Sequence, residues 1–416
     1  MTYTAEILGV GTELLLGNTA NTDAQDVSQI LSEMGINVYF HTVVGDNPER
    51  LKQALEIAKN RADIIITTGG LGPTYDDLTK QTLAEAFGKK LIFNEDVAQN
   101  LRELFKSRLS SHQMTDNNYR QAEFPEGCII FDNSVGTAPG CAFEAEGKHV
   151  LMLPGPPREC RTMLKACVVP YLENLSESGI FSHTIHIFGL GESFVEAKLV
   201  DIMESLHNPT LAPYAKEGEV MLRLTARAGT AEEADELMEP VLREVKEKLG
   251  DVIYGIDTNS LENTVVESLN RHGLTLAVAE SCTGGLLSKR LTDIPGASKV
   301  YPGGIVAYGA PAKTRLLGVD PAMIEEKGAV SREVALAMAD GVRTKLGVDI
   351  GVGITGIAGP DSDESGLEPG TVFVALATKD FSTCKDLHIW NDRDRIRTSS
   401  SSTALDMVRR LVEERY

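Results

Sequence analysis

Short β-branched runs alternate with amphipathic stretches over residues 1–172, the pattern of strand–helix–strand units around a mainly parallel sheet. Ala5–Val10, Asn37–Val44, Asp63–Thr68 and Val150–Leu153 are predicted strands. Asn21–Met34 and Pro48–Asn60 carry apolar residues at helical spacing and are predicted helices. Pro48 stands near the start of its helix, where a missing N–H is harmless, and Gly35 just past the end of the other, where the chain can turn left-handed. Residues 173–255 read differently. A strand (His183–Gly189) leads into Glu192–Glu204, a loop through Pro209 and Pro213, a strand (Glu219–Ala228) and a long charged helix (Ala231–Leu249), a small α+β connecting domain. Residues 256–416 return to alternation, with a helix from Asn259, strands at Leu274–Ala279, Gly303–Tyr308, Asp349–Ile354 and Gly370–Ala377, one further strand and a final helix. The fold class is therefore α/β: two α/β domains joined by a small α+β domain.

Composition narrows the function. The 416 residues hold 40 Lys and Arg against 60 Asp and Glu, a formal charge of −20. Such a surface repels nucleic-acid backbones and anionic membranes, so direct nucleic-acid or membrane binding is not expected. The six cysteines contain no Cys-x-x-Cys pair and no Cys/His zinc spacing, and are too sparse for a disulfide scaffold. The first residues read as a strand entering a glycine turn, not as a signal peptide, and no run of about 18 apolar residues occurs. A cytoplasmic protein is expected. His183 and His186 lie three apart on a predicted strand and face opposite ways, which argues against a metal site there.

The C-terminal domain carries the densest chemistry. The strand at Leu274–Ala279 stops at Glu280-Ser281, and Thr283-Gly284-Gly285 opens a helix. A serine there sits at the positive end of a helix dipole beside free N–H groups, a place suited to an oxyanion and equally to an ordinary helix cap. A second strand ends in Tyr308, with a turn delivering Lys313, and a third runs into a glycine loop presenting Thr355. These strand ends fit one edge of one sheet. Lys313 serves as a base only if burial depresses its pKa; as an exposed helix-start lysine it would not. Cys282, beside the serine, is expected to be buried and turned away from it.

In the N-terminal domain, Gly9-Val-Gly-Thr-Glu-Leu fails the dinucleotide fingerprint because position 14 is Leu, and no P-loop motif occurs. The turn with Gly69, Gly70, Gly72 and Thr74 frees the backbone to approach a phosphate. Asp76 and Asp77 could hold a divalent cation or cap the next helix. Further turns present Gly136 with Thr137, and Gly155; Glu13 and Asn18 are expected to face the same pocket.

AESCTGG at 279–285, the Tyr308/Lys313 pair and TGIAGP at 355–360 resemble the C-terminal domain of the CinA (competence/damage-inducible) family, which is similar to nicotinamide-nucleotide amidases. The resemblance implies deamidation of nicotinamide mononucleotide (NMN) to nicotinic acid mononucleotide and ammonia, without a cofactor. By position, Ser281 would be the nucleophile, Lys313 with Tyr308 the base and proton relay, and Thr355 the group orienting the carboxamide. Thr283, Gly284, Gly285, Ser298 and Gly356 would line the substrate, and Arg393, flanked by Arg395 and Arg397, would hold the 5′-phosphate. Between Tyr308 and Lys313 this chain reads Gly309-Ala310-Pro311, where relatives usually carry Ser-Asn.

GTELLLGN, TTGGLGPTxDDLT, GTAPG and LPGPPxE resemble the family's N-terminal domain, which is similar to the molybdopterin-binding fold. That implies a metal-dependent (Mg or Co) ADP-ribose pyrophosphatase, or a domain that only binds nucleotide or pterin. A homodimer is implied by the same resemblance, and a non-enzymatic accessory role in DNA competence is the remaining alternative. Because NMN and ADP-ribose are both phosphorylated, an acidic chain is expected to present a locally positive pocket in each end domain.

Overall fold

The computed structural model describes residues 3–107, 114–175, 179–216, 218–362, 366–390 and 392–416. The chain forms two compact units, Met1–Phe181 with Ala226–Glu236, and Ser182–Thr225 with Leu237–Tyr416.

In the first unit the strands are β1 (Thr4–Val10), β2 (Asn37–Val44), β3 (Ile64–Thr68), β4 (Leu91–Phe93), β5 (Glu123–Pro125), β6 (Ile129–Phe131), β7 (Gly140–Ala145) and β8 (Lys148–Leu153). Six form one sheet in the order β2-β1-β3-β8-β7-β6, while β4 and β5 pair separately. The first four run parallel, and β7 and β6 continue the sheet antiparallel. β3 is buried along its whole length, which is why it reads as an unbroken Ile-Ile-Ile-Thr-Thr run. The crossover helices α1 (Thr22–Glu33) and α2 (Pro48–Lys59) are each capped by an asparagine: Asn21 accepts from Ala24 N at 3.1 Å and Asn47 from Arg50 N at 3.0 Å. Parallel crossovers bring the turns after β1, β3 and β8 to one edge, where the glycines collect.

An ion pair between a buried carboxylate and an exposed arginine ties this sheet together. Glu6 on β1 is fully buried; Arg61 donates to it twice, at 2.7 and 2.6 Å, and Thr42 on β2 donates at 2.7 Å. Arg61→Met leaves that carboxylate without its cation, so the variant is expected to melt below the wild type. Glu6→Met/Arg61→Met should recover most of the loss, because removing both charges removes the stranded one. Thermal denaturation of the three proteins checks this.

The rest of the chain forms two further sheets. One is antiparallel, ordered β10-β11-β9-β12, from β9 (Gly179–Phe188), β10 (Thr210–Lys216), β11 (Glu219–Ala228) and β12 (Ile253–Ile256). The expected loop through Pro209 and Pro213 is corrected here: Thr210–Lys216 is a strand with Pro213 opposite Leu222. It lies at the sheet edge, where a residue without an N–H is tolerated. His186 is buried near Tyr254, and His183 lies 2.6 Å from Asp257, so the two histidines do occupy different environments.

The other sheet is ordered β14-β13-β15-β16-β17, from β13 (Leu276–Glu280), β14 (Gly303–Val306), β15 (Ile350–Gly356), β16 (Thr371–Ala377) and β17 (Ser382–His388). β13 is parallel to both neighbours. Helices α3 (Leu286–Thr292), α4 (Ala310–Leu317), α5 (Arg332–Leu346) and α6 (Arg393–Arg415) pack around it. Gly351 and Gly353 let α5 close onto β15, since a Cβ at either would meet the carbonyls of Ala339 and Ala335. The serine run at 399–402 lies in α6, where Arg290 donates to Ser401 and Ser402 at 2.8 Å each. No helix among the described residues is long and apolar enough to cross a membrane.

Candidate active site

The C-terminal ends of β14, β13 and β15 lie side by side, and each delivers one residue of the expected set. After β13 the chain turns through Ser281–Gly285; Gly284 (φ 59°) and Gly285 (φ 93°) take the left-handed conformation that glycine makes cheap. Ser281 is buried, and its Oγ donates to the Tyr308 carbonyl at 3.3 Å. Helix α4 begins on Ala310-Pro311, a first turn that has no use for the proline's missing N–H, so Gly309-Ala310-Pro311 is a sound helix start. One turn on, Lys313 points inward and is 1% exposed. Its Nζ donates to Thr355 Oγ1 and to the Ala329 carbonyl, each at 2.6 Å, and Thr355 Oγ1 donates to the same carbonyl at 3.0 Å. Burial lowers the Lys313 pKa to about 8. Cys282 is buried as expected, and burial raises its thiol to about 11, so it is held as an inert thiol.

The arginine-rich segment resolves by helix geometry. Arg393 donates to the Tyr308 phenol at 3.2 Å and to the Gly359 carbonyl at 2.8 Å, and Arg397 donates to the Thr283 carbonyl at 2.8 Å. They are i and i+4 on α6 and share a face. Arg395 faces Gly218 instead.

Several expectations are corrected here. Gly284 and Gly285 do not offer free N–H groups: Gly284 N donates to the Ser281 carbonyl at 3.0 Å, and Gly285 N to the Glu280 carboxylate at 3.0 Å. The Tyr308 phenol bonds Arg393, not Lys313, so no Lys313–Tyr308 relay is formed. Thr355 holds Lys313, and its hydroxyl is not open toward a carboxamide. Gly356 is closed by the chain itself, since a Cβ there would meet Val372 and the Thr371 carbonyl. Ser298 is exposed next to Val300, whose carbonyl bonds Leu276 N at the start of β13, the end of the strand opposite Ser281. Thr283 is fully buried in the turn, with Oγ1 lacking a partner.

The first unit has its own cleft, about 550 Å³, over the glycine edge of its sheet. Glu13, Gly69, Gly70, Gly72, Thr74, Asp76, Asp77, Thr137 and Gly155 all line it, together with Glu159, the last residue of LPGPPxE, and with Asp46 and Gln121, which the sequence did not single out. Asn18 is exposed and does not line it, its N–H bonding the Glu13 carbonyl at 3.1 Å. Gly136 lies against Glu159 outside the cleft lining. Gly69 and Gly70 are glycine because the fold requires it: both have positive φ, and a Cβ would strike the Val10 carbonyl or Thr79. Asp76 and Asp77 do not cap the next helix, whose cap residue is Leu78; both accept from the Thr74 hydroxyl, and Asp77 also from Thr74 N at 2.8 Å. That hydrogen bond holds Asp76 below the usual carboxylate range.

Five carboxylates line this cleft (Glu13, Asp46, Asp76, Asp77 and Glu159), and no Lys, Arg or His does among the described residues. The expected positive pocket is therefore corrected for this domain. A phosphate would meet net repulsion there unless a cation accompanied it. No three His, Cys, Asp or Glu side chains are already gathered closely enough to form a ready metal cage among the described residues.

Residues 258–412 match the CinA C-terminal domain, and a CinA-like protein of Dictyoglomus turgidum is 49% identical over 97% of this chain and 98% of its own. The chain belongs to the CinA family. Residues 6–174 match the probable molybdopterin binding domain, and residues 182–255 the damage-inducible protein CinA KH domain. A CinA-like protein of Kosmotoga olearia is 46% identical, covering 98% of both chains. A putative competence-damage inducible protein of Acetivibrio thermocellus is 47% identical, also over 98% of both. In this CinA chain the connecting domain is thus KH-like.

Proposed function

We propose that the C-terminal domain is a serine-dependent amidohydrolase that converts NMN to nicotinic acid mononucleotide and ammonia. The observation that carries this reading is Lys313: a buried lysine of lowered pKa, hydrogen-bonded to Thr355 and reached from the same strand edge as Ser281. Such a lysine is a base, and an activated serine needs one. Ser281 leaves the Tyr308 carbonyl as substrate enters, its Oγ attacks the carboxamide carbon, and neutral Lys313 takes the proton. The C–N bond then breaks and ammonia departs with that proton. Water cleaves the acyl ester, giving the carboxylate and restoring the serine. Arg393 and Arg397 supply positive charge for the 5′-phosphate on an otherwise acidic protein.

For the N-terminal domain we propose metal-dependent hydrolysis of ADP-ribose to AMP and ribose 5-phosphate. Its carboxylate-lined cleft supports a nucleotide taken together with a divalent cation. Asp76 and Asp77 would hold the ion, which would neutralise the pyrophosphate and polarise its phosphorus–oxygen bonds.

The test is to incubate the protein with NMN in the presence of a chelator and follow ammonia and nicotinic acid mononucleotide together. Stoichiometric release of both is expected; loss of NMN without ammonia rejects the amidase.

A further inference from the structure

Glu280, immediately before the nucleophile, is fully buried and lies on a strand end that nothing above assigns to the reaction. A buried carboxylate is tolerated only when its oxygens are fully hydrogen-bonded. Those of Glu280 are. Oε2 accepts from Gly285 N at 3.0 Å and Leu287 N at 3.1 Å, and Oε1 accepts from Ser288 N at 2.8 Å and Ser288 Oγ at 2.6 Å. Ser288 Oγ is itself fixed by the Tyr301 hydroxyl at 2.8 Å. The acid spans the whole turn and seizes the start of α3, which has no side-chain cap of its own at Gly285.

Strand alternation gives this clamp a consequence for Ser281. Leu276 and Val278 pack on one face of β13 with Leu287 and Leu291 of α3, whereas Ala277 and Ala279 pack on the other with Leu317, Val334 and Met338. Glu280 continues the first face and Ser281 the second, the side on which α4 carries Lys313. Ser281 N is also tied to the Ile354 carbonyl at 2.9 Å, one residue before Thr355. Held by its neighbour's side chain on one face and by β15 through its own N–H, the Ser281 backbone is fixed on the Lys313 side of the strand, and only the hydroxyl is left to turn from the Tyr308 carbonyl.

We propose that Glu280 is a positioning residue: its carboxylate locks the Ser281–Gly285 turn and so keeps Ser281 on the face of β13 that carries Lys313. The inference rests on the reading of Ser281 as the nucleophile. It also means that the N-terminus of α3 is already occupied by the protein's own anion, which leaves the substrate phosphate to Arg393 and Arg397.

The test compares wild type, Glu280→Gln, Glu280→Asp and Ser288→Ala by NMN kinetics and by the rate at which a fluorophosphonate labels Ser281, each corrected for folded protein. Glu280→Gln keeps the volume but puts an amide nitrogen where an acceptor is needed. Displacing a reacting atom by about 1 Å costs roughly 100-fold, so kcat and labelling rate should both fall by about that factor while KM stays within about 3-fold. Glu280→Asp should fall between the two. Ser288→Ala, which keeps every backbone donor and should fold normally, should lose roughly 3- to 10-fold in kcat. Wild-type kcat and labelling in Glu280→Gln, a change in KM alone, or a loss explained entirely by unfolded protein would overturn the inference. If wild type releases no ammonia from NMN, the amidase reading fails, yet faster Ser281 labelling in wild type than in Glu280→Gln would still uphold the positioning role.

Discussion

Replacing Lys313 by methionine is expected to lower NMN turnover by about three orders of magnitude, the range of a lost general base, and to raise the melting temperature. The two effects share one cause. Lys313 is buried beside neutral partners, Thr355 and the Ala329 carbonyl, with no carboxylate among the described residues bonded to its charge. A pKa lowered from 10.5 to about 8 corresponds to roughly 3 kcal/mol against the charged form in the folded state. Methionine fills similar space without that charge, and Thr355 keeps its bond to the Ala329 carbonyl, so no acceptor is stranded. The sign of the pH dependence follows. Between about pH 8 and 10.5 the unfolded chain binds the proton that the folded chain releases, so wild-type stability rises with pH across that window. The methionine variant's advantage should be largest below pH 8 and fade toward 10.5. Wild-type kcat/KM should climb as pH passes through about 8, because only neutral Lys313 accepts the serine proton. Thermal denaturation and pH–rate profiles check both halves; a less stable Lys313→Met at pH 7, or one that retains turnover, contradicts them.

Chelation is expected to abolish ADP-ribose hydrolysis while leaving NMN deamidation unchanged. The reason lies in the unlike electrostatics of the two sites. Among the described residues the first unit's cleft is lined by five carboxylates and no basic side chain, whereas the serine site has Lys313, Arg393 and Arg397 around it. Removing the ion leaves a pyrophosphate facing only negative charge, a loss of several kcal/mol and so at least roughly 100-fold in rate. Asp76→Asn/Asp77→Asn should reproduce the effect and should not respond to added Mg²⁺ or Co²⁺ at concentrations that saturate wild type. AMP formation that resists chelation, or chelation that stops both reactions, contradicts the assignment.

What could be read from the sequence is what local pattern encodes. Asn37–Val44 and Glu219–Ala228 form strands with the predicted bounds because a β-branched run in the first and alternation of apolar and polar residues in the second, each flanked by turns, leave little choice. Ser281, Lys313 and Thr355 come to one sheet edge because parallel strands must end on the same side, which three glycine turns after strands already implied. The edge strand Thr210–Lys216 was hidden by Pro213, whose tolerance depends on a neighbour absent on one side. The antiparallel strand Gly140–Ala145 did leave a signal, the Glu146-Gly147 turn, in which both residues have positive φ. Tertiary geometry decided the rest. Three alternating arginines look alike until a helix turns Arg393 and Arg397 one way and Arg395 another. Asp46 and Gln121 reach the cleft from separate elements, so no single motif announces them. Glu280 reads as a strand's last residue, and only its four donors reveal its part. Ser298 is near the motif in sequence, but sequence does not say which end of a strand a loop joins.

The central claim is that Ser281 performs amide hydrolysis, and comparing wild type with Ser281→Ala for ammonia release from NMN tests it most directly. Wild type should release ammonia and nicotinic acid mononucleotide in equal amounts with chelator present, and Ser281→Ala, folded to the same melting temperature, should release neither. Equal product from the two proteins, or none from wild type, would contradict the account.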